Sequence, residues 1–201
     1  IAGVIQIFTR KQQGVEVNVR AGRFNTVETS VNAGLGDKAN GISLGVSHLD
    51  TDGFSATNQN SFSFNPDKDG GLSRTARLSG WATLSDDLSA KFSTSWTNSM
   101  SEFDDGVSDA DFGTASAEAT HKTLDQWTQR LQLGWTRTKL DTDAFFSRFL
   151  TERNSVSWLH DIIWAEGMEL VAGIDYANEK AFSGDPINNS TTFDNQLQNL
   201  A

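Results

Sequence analysis

Asn65, Asp67 and Asp69 occupy alternate positions, and Gly70 closes the run. Side-chain oxygens at that spacing in a turn converge on a hard cation, which prefers oxygen ligands. The pattern is the first half of a calcium loop. An EF-hand also needs a bidentate Glu at loop position twelve. That position is Ala76, so an EF-hand is excluded. A second acidic stretch holds Glu102, Asp104, Asp105 and Gly106, with Asp109 and Asp111 after it. The competing interpretation is plain turn chemistry, in which Asp and Gly shape solvated loops.

Other candidate chemistry is thin. His48, His121 and His160 are scattered and lack ligand spacing. Asp86 and Asp87 fit a tight turn better than a catalytic dyad. No Ser-His-Asp set is identifiable by spacing, and no glycine-rich phosphate loop leads from a strand into a helix. There is no cysteine, which excludes disulfide staples, thiolate metal sites and a Cys nucleophile. With 16 Lys+Arg against 26 Asp+Glu the net charge is -10, the wrong sign for a nucleic-acid binder. An enzyme is not expected. The 6 Trp, at positions 81, 96, 127, 135, 158 and 164, fit strand packing or an interfacial girdle better than a sugar-binding platform.

The elements that must carry these residues are strands. The 201 residues suit one domain or a small pair. Helical spacing is sustained nowhere, and period two dominates. Val15, Val17 and Val19 alternate with Glu16, Asn18 and Arg20. Val27, Thr29, Val31, Ala33 and Leu35 alternate with Glu28, Ser30 and Asn32. The same alternation runs through 41–49, 88–96 and 169–176. Tight turns are expected at 36–39, 85–87 and 166–167. Long polar loops are expected at 51–71 and about 104–122, with a short link at 22–25. No apolar run approaches the roughly 18–20 residues of a membrane helix, which leaves a membrane barrel open, since its strands need only about 10 alternating residues. Short turns at one end and longer loops at the other fit such a barrel. So do small residues on the apolar sides (Ala21, Ala33, Ala82, Ala172) and aromatics towards strand ends (Phe103, Trp127, Trp164, Tyr176). Alternation alone serves a soluble β-sandwich equally well.

Particular residues then resemble a known family. Residues 1–10, Ile-Ala-Gly-Val-Ile-Gln-Ile-Phe-Thr-Arg, look like the strand that ends the plug domain of TonB-dependent outer-membrane receptors. Residues 34–38 sit where the first periplasmic turn of that family falls. Residues 47–54 and 64–70 resemble its third strand and following extracellular loop. Ser157, Trp158 and Asp161, then residues 173–176, resemble later barrel strands. The cobalamin-receptor branch is the nearest in pattern.

The resemblance implies an antiparallel up-and-down transmembrane β-barrel, with the last plug strand at 1–13 and the first part of the barrel at 14–201. About nine strands, with a tenth begun near 191–201, would belong to a 22-stranded whole, so the chain is expected to be an internal piece of a longer protein. The stretch 113–135 looks short for two strands and a turn. The resemblance further implies active uptake of a scarce substrate, cobalamin or a siderophore, across the outer membrane. TonB would be the partner, through plug residues outside this chain. It implies structural calcium between two extracellular loops, carried over to Asp67, Asp69, Asp104 and Asp105. A further family ligand position falls near Ser55, which is not a carboxylate. The alternatives are a soluble or surface β-sandwich binding calcium or carbohydrate, and a passive porin-like barrel.

Overall fold

The computed structural model describes residues 13–55, 57–61, 64–104, 106–144, 146–185 and 190–200. Of the expected plug segment 1–13, residues 1–12 lie outside the described residues, as does Asp105. Ten strands follow one another: β1 (Gly14–Ala21), β2 (Val27–Gly36), β3 (Gly41–Thr51), β4 (Gly71–Ser85), β5 (Leu88–Phe103), β6 (Gly106–Leu124), β7 (Trp127–Thr142), β8 (Ser147–Ala165), β9 (Met168–Asp185) and β10 (Ser190–Leu200). Each pairs antiparallel with the next, in the order β1 to β10. The result is a single up-and-down sheet whose edges, β1 and β10, do not pair with each other among the described residues. Among the described residues no helix is long and apolar enough to cross a membrane, which says nothing of strands.

At one end of the sheet the connections are tight: 37–40, 86–87, 125–126 and 166–167. Local chemistry makes them so. Asp37 Oδ1 accepts from the backbone N–H groups of Ala39 and Asn40 at 2.7 and 2.8 Å, an Asx turn of the kind Asp favours. Gly36, at φ +131°, approaches the Asn40 carbonyl too closely to admit a Cβ. The other end carries the link 22–26 and the long connection 52–70.

The long polar loop expected over 104–122 is a correction. That stretch is β6, joined to β5 almost directly. The same finding resolves 113–135, where β6 and β7 both fit because β6 starts well before Gly113. Its apolar side is built from Gly113, Ala115, Ala117 and Ala119, paired in register with Trp96, Thr94, Phe92 and Ala90. Such small side chains add little hydropathy, so the strand reads as polar. Tyr176 is a second correction, since it lies in the middle of β9 and not near a strand end.

Pairing sorts the residues onto two faces. Glu16, Asn18 and Arg20 share a face with Asn32, Ser30 and Glu28. There Arg20 pairs with Glu28 at 3.1 Å, and Lys91 with Glu118 at 2.9 Å. Hydroxyl rungs cross the strands at Ser43–Ser79 (2.7 Å), Thr75–Thr97 (2.9 Å) and Ser93–Ser116 (2.8 Å). A single hollow of about 1010 Å³ lies against this polar face and touches every strand from β2 to β8, with Asn32, Ser43, Lys91, Ser116, Gln132 and Ser157 among its lining. The sheet therefore curves round its polar side.

The apolar face is the outer one, and nothing described covers it. Val15 is 72% exposed, Val17 62% and Leu44 53%, while Ala110 at 8% is the one buried hydrophobic residue among those described. No described side chain is fully buried. A soluble sandwich packs its apolar faces together into a core, and no such core exists among the described residues.

The apolar residues also form a slanted band. On β3 they are Ile42, Leu44 and Val46. The hydrogen-bonded row through Ile42 runs by Gly80, Phe92, Ala117 and Leu133 to Val156 on β8. The row through Val46 runs by Ala76, Trp96 and Gly113 to Arg137 and Glu152. On β8 the apolar positions instead continue from Val156 towards the turn end, through Trp158 to Ile162. The band thus slips by about five residues between β3 and β8. At about 3.3 Å per residue and about 4.8 Å between strands, that is a slope of about 35°.

Candidate metal centre

The connection 52–70 leaves β3 and returns to β4 under several constraints. Asp52 donates its backbone N–H to the Phe24 carbonyl at 2.9 Å. Its carboxylate accepts from Asn25 Nδ2 at 2.8 Å and from Lys68 Nζ at 2.7 Å. The Lys68 ammonium, and then the Asn25 amide, hold the Asp52 carboxyl below the usual carboxylate range. Phe24 and Phe54 pack with ring centroids 5.2 Å apart. Gly53, at φ +65°, lies where the chain crosses the Asp69 carbonyl too closely for any side chain. The far end of the connection is clamped to β5: Glu102 N–H donates to Gly70 O at 2.9 Å, and Gly70 N–H to Glu102 Oε2 at 3.0 Å.

These constraints set the strip 65–70 beside the end of β5. Carboxylate oxygens of Asp67, Asp69 and Asp104 then come within 4.8 Å of one another. Two oxygens on one calcium ion, at about 2.3–2.6 Å each, can be no more than about 5 Å apart. The three side chains are therefore close enough together to share such an ion. Asn65 Nδ2 braces them, donating to Asp67 Oδ2 at 2.8 Å and to the Asp104 carbonyl at 3.2 Å. Both carboxylate oxygens of Asp104 are shielded from solvent and have no hydrogen-bond partner. A shielded carboxylate without donors is costly, and a cation would satisfy it. Lys68, between Asp67 and Asp69 in sequence, is engaged with Asp52 instead.

Three of the four carboxylates expected from the sequence are thus brought together, and Asp105 lies outside the described residues. Other acidic residues of the second stretch go elsewhere. Glu102 caps Gly70. Asp109 and Asp111 belong to β6, where Asp111 accepts from Asn98 Nδ2 at 2.9 Å. Ser55 donates to the Asn65 carbonyl at 2.9 Å, shaping the loop. The reach of Asn65 to the Asp104 carbonyl and the cap from Glu102 have no signal in spacing, because each joins residues distant in the chain.

The remaining candidates stay dispersed. His160 accepts from Trp127 Nε1 at 3.1 Å and packs on Trp158, ring centroids 4.5 Å apart. His121 bonds Thr123 at 3.2 Å. Asp86 and Asp87 occupy the β4–β5 turn. Trp96 and Trp135 pair in register with outer-face positions, as do Trp127 and Trp158. Compared with known proteins, the chain matches no family model and no curated sequence.

Proposed function

We propose that this chain is part of a TonB-dependent outer-membrane receptor of the cobalamin-receptor-like type: the end of the plug and the first ten strands of the barrel. What carries the membrane assignment is the slanted apolar band, exposed on the outside of a sheet that has no packed core among the described residues. Its slope of about 35° is the strand tilt of outer-membrane barrels. Closed into a barrel by the further strands of the whole protein, such a sheet would make every backbone hydrogen bond between strands, as lipid requires. The polar concave face would then line the lumen and meet the plug. The family assignment itself rests on the resemblance of residues 1–10, 34–38 and 64–70.

On this reading the protein performs no covalent chemistry. Substrate, cobalamin or a siderophore, binds at the loop end, and TonB acts through plug residues to release it inward. Such gating requires that substrate and TonB favour different conformations. Asp67, Asp69 and Asp104, with Asp105, would hold a structural calcium ion that ties the 52–70 connection to the β5–β6 hairpin. The orphaned oxygens of Asp104 support that part.

The test uses the intact parent protein. It should need detergent to remain dispersed, migrate faster on a gel unheated than boiled, and restore uptake of its substrate to a receptor-deficient cell only when TonB is present. Dispersion in plain buffer would remove the membrane assignment. Uptake independent of TonB would favour a passive pore.

A further inference from the structure

The outer face carries a groove of about 420 Å³ over β2 to β5. Its floor is Ala76, and Val31, Val46 and Trp96 stand around it, all in one hydrogen-bonded row. One step towards the loop end, the next row on this face reads His48, Arg74, Asn98. The groove is apolar along its length and cationic at the end where the apolar band stops.

Arg74 is exposed, and among the described residues no ion pair or hydrogen bond engages its guanidinium. That sets it apart from its neighbours on the same face. Arg137 pairs with Glu152 at 3.0 Å, Lys139 with Asp141 at 2.8 Å and Arg148 with Asp141 at 2.6 Å. The nearest carboxylates on this face do not neutralise Arg74. Asp111 is engaged by Asn98, and Asp50 stands opposite Leu72, a further step towards the loop end. A free guanidinium presents a planar fork that matches phosphate geometry.

We infer that this groove is a binding site for one membrane lipid with an anionic phosphate headgroup. An acyl chain lies on Ala76 between Val46 and Trp96, and the phosphate sits on Arg74. This rests on the apolar face meeting lipid, as proposed above. The occupant follows from charge complementarity and from continuity with that face. A free phosphate ion would have no use for the apolar length of the groove.

The experiment reads Trp96 as a reporter in the intact parent protein, reconstituted into phosphatidylcholine vesicles. A minor fraction of the lipid is brominated phosphatidic acid in one series and brominated phosphatidylcholine in the other. The Trp96 signal is the difference from Trp96→Phe. Brominated phosphatidic acid should quench it with a relative affinity roughly three- to tenfold higher, the scale of a charge-assisted contact. Arg74→Gln should bring the two lipids to parity, and Arg74→Lys should keep part of the preference. Arg77→Gln, on the opposite face of β4, should leave it unchanged. Ala76→Phe fills the groove and should also give parity. Equal quenching in the unmodified protein, or a preference that survives Arg74→Gln, overturns the lipid site and leaves the membrane assignment standing. Absence of quenching by either lipid overturns both.

Discussion

The indole rings of Trp96 on β5 and Trp135 on β7 stack across β6, centroids 6.3 Å apart and 17° from parallel. They meet over Gly113, where an added Cβ would lie 2.7 Å from Trp96 and 2.8 Å from Trp135. The absent side chain lets two large rings two strands apart touch. An aromatic pair of this kind contributes about 0.5–1.5 kcal/mol beyond its buried area. Gly113→Ala should cost about 1–3 kcal/mol, the range for overpacking, as a lowered denaturant midpoint in the intact protein. In a Trp96→Leu/Trp135→Leu background the same change should cost much less, since flexible side chains yield where stacked rings do not. An equal cost in both backgrounds would show that the rings are not the obstacle.

The outer face is tested by charge. Val17, Val31 and Leu44 lie within the apolar band, and Leu44 is at its middle on β3. Val31→Arg and Leu44→Arg should each cost about 2–4 kcal/mol of stability in a bilayer. Ser43→Arg, the adjacent residue on the concave polar face, loses the hydroxyl rung to Ser79 but meets no lipid, and should cost only about 0.5–1.5 kcal/mol. Reversible unfolding from lipid vesicles measures all three. Normal insertion and stability of the Val31→Arg and Leu44→Arg proteins would mean that these positions do not face acyl chains.

How much of this was legible in the residues depends on side-chain size. Strands β1, β2 and β3 announce themselves because Val, Ile and Leu alternate with Ser, Asn and Glu. Strand β6 hides because its outer positions are Gly113, Ala115, Ala117 and Ala119, and its inner ones are mostly small too. The tight turns at 37–40, 86–87 and 166–167 are readable from Asp and Gly, whose local bonding needs no distant partner, whereas the turn at 125–126 is not, because the strand before it is hidden. Nor is the slanted band, since it appears only when Val46 on β3 and Glu152 on β8 are known to share a row. At the candidate metal centre, spacing nominated Asp67 and Asp69, and resemblance added Asp104. The clamp of Glu102 on Gly70 and the tie of Lys68 to Asp52 depend on how the connection folds back, which local pattern does not encode.

Calcium should bind the intact protein through the carboxylates that the connection 52–70 gathers. Calorimetry should show one event that is lost in Asp67→Ala/Asp69→Ala. Asp104→Asn should weaken it by at least about tenfold, because an amide brings one ligand oxygen without charge. In chelator the Asp104→Asn protein should be more stable than the unmodified one, since its amide no longer confines an uncompensated charge. Binding unchanged in the double variant would remove these residues as ligands.

Acid should loosen the same connection through Asp52. Its carboxyl is held below the usual range, first by the Lys68 ammonium and then by the Asn25 amide. A group depressed in the folded state contributes stability that is fully present above its unfolded value, about 3.9, and is lost as pH falls through the folded one. In chelator, so that calcium does not intervene, the protection of the 52–70 amides (their exchange relative to the intrinsic rate at each pH) should hold steady from neutral pH down to about 4 and fall below it. Asp52→Asn removes the titrating group but keeps the side-chain volume, so its protection should be lower at neutral pH and flatter with acid. Lys68→Gln should shift the loss of protection to higher pH, because the largest source of the depression is gone. A profile identical in the unmodified and Asp52→Asn proteins would mean that other carboxylates govern the loosening and that the Lys68–Asp52 tie does not hold the connection.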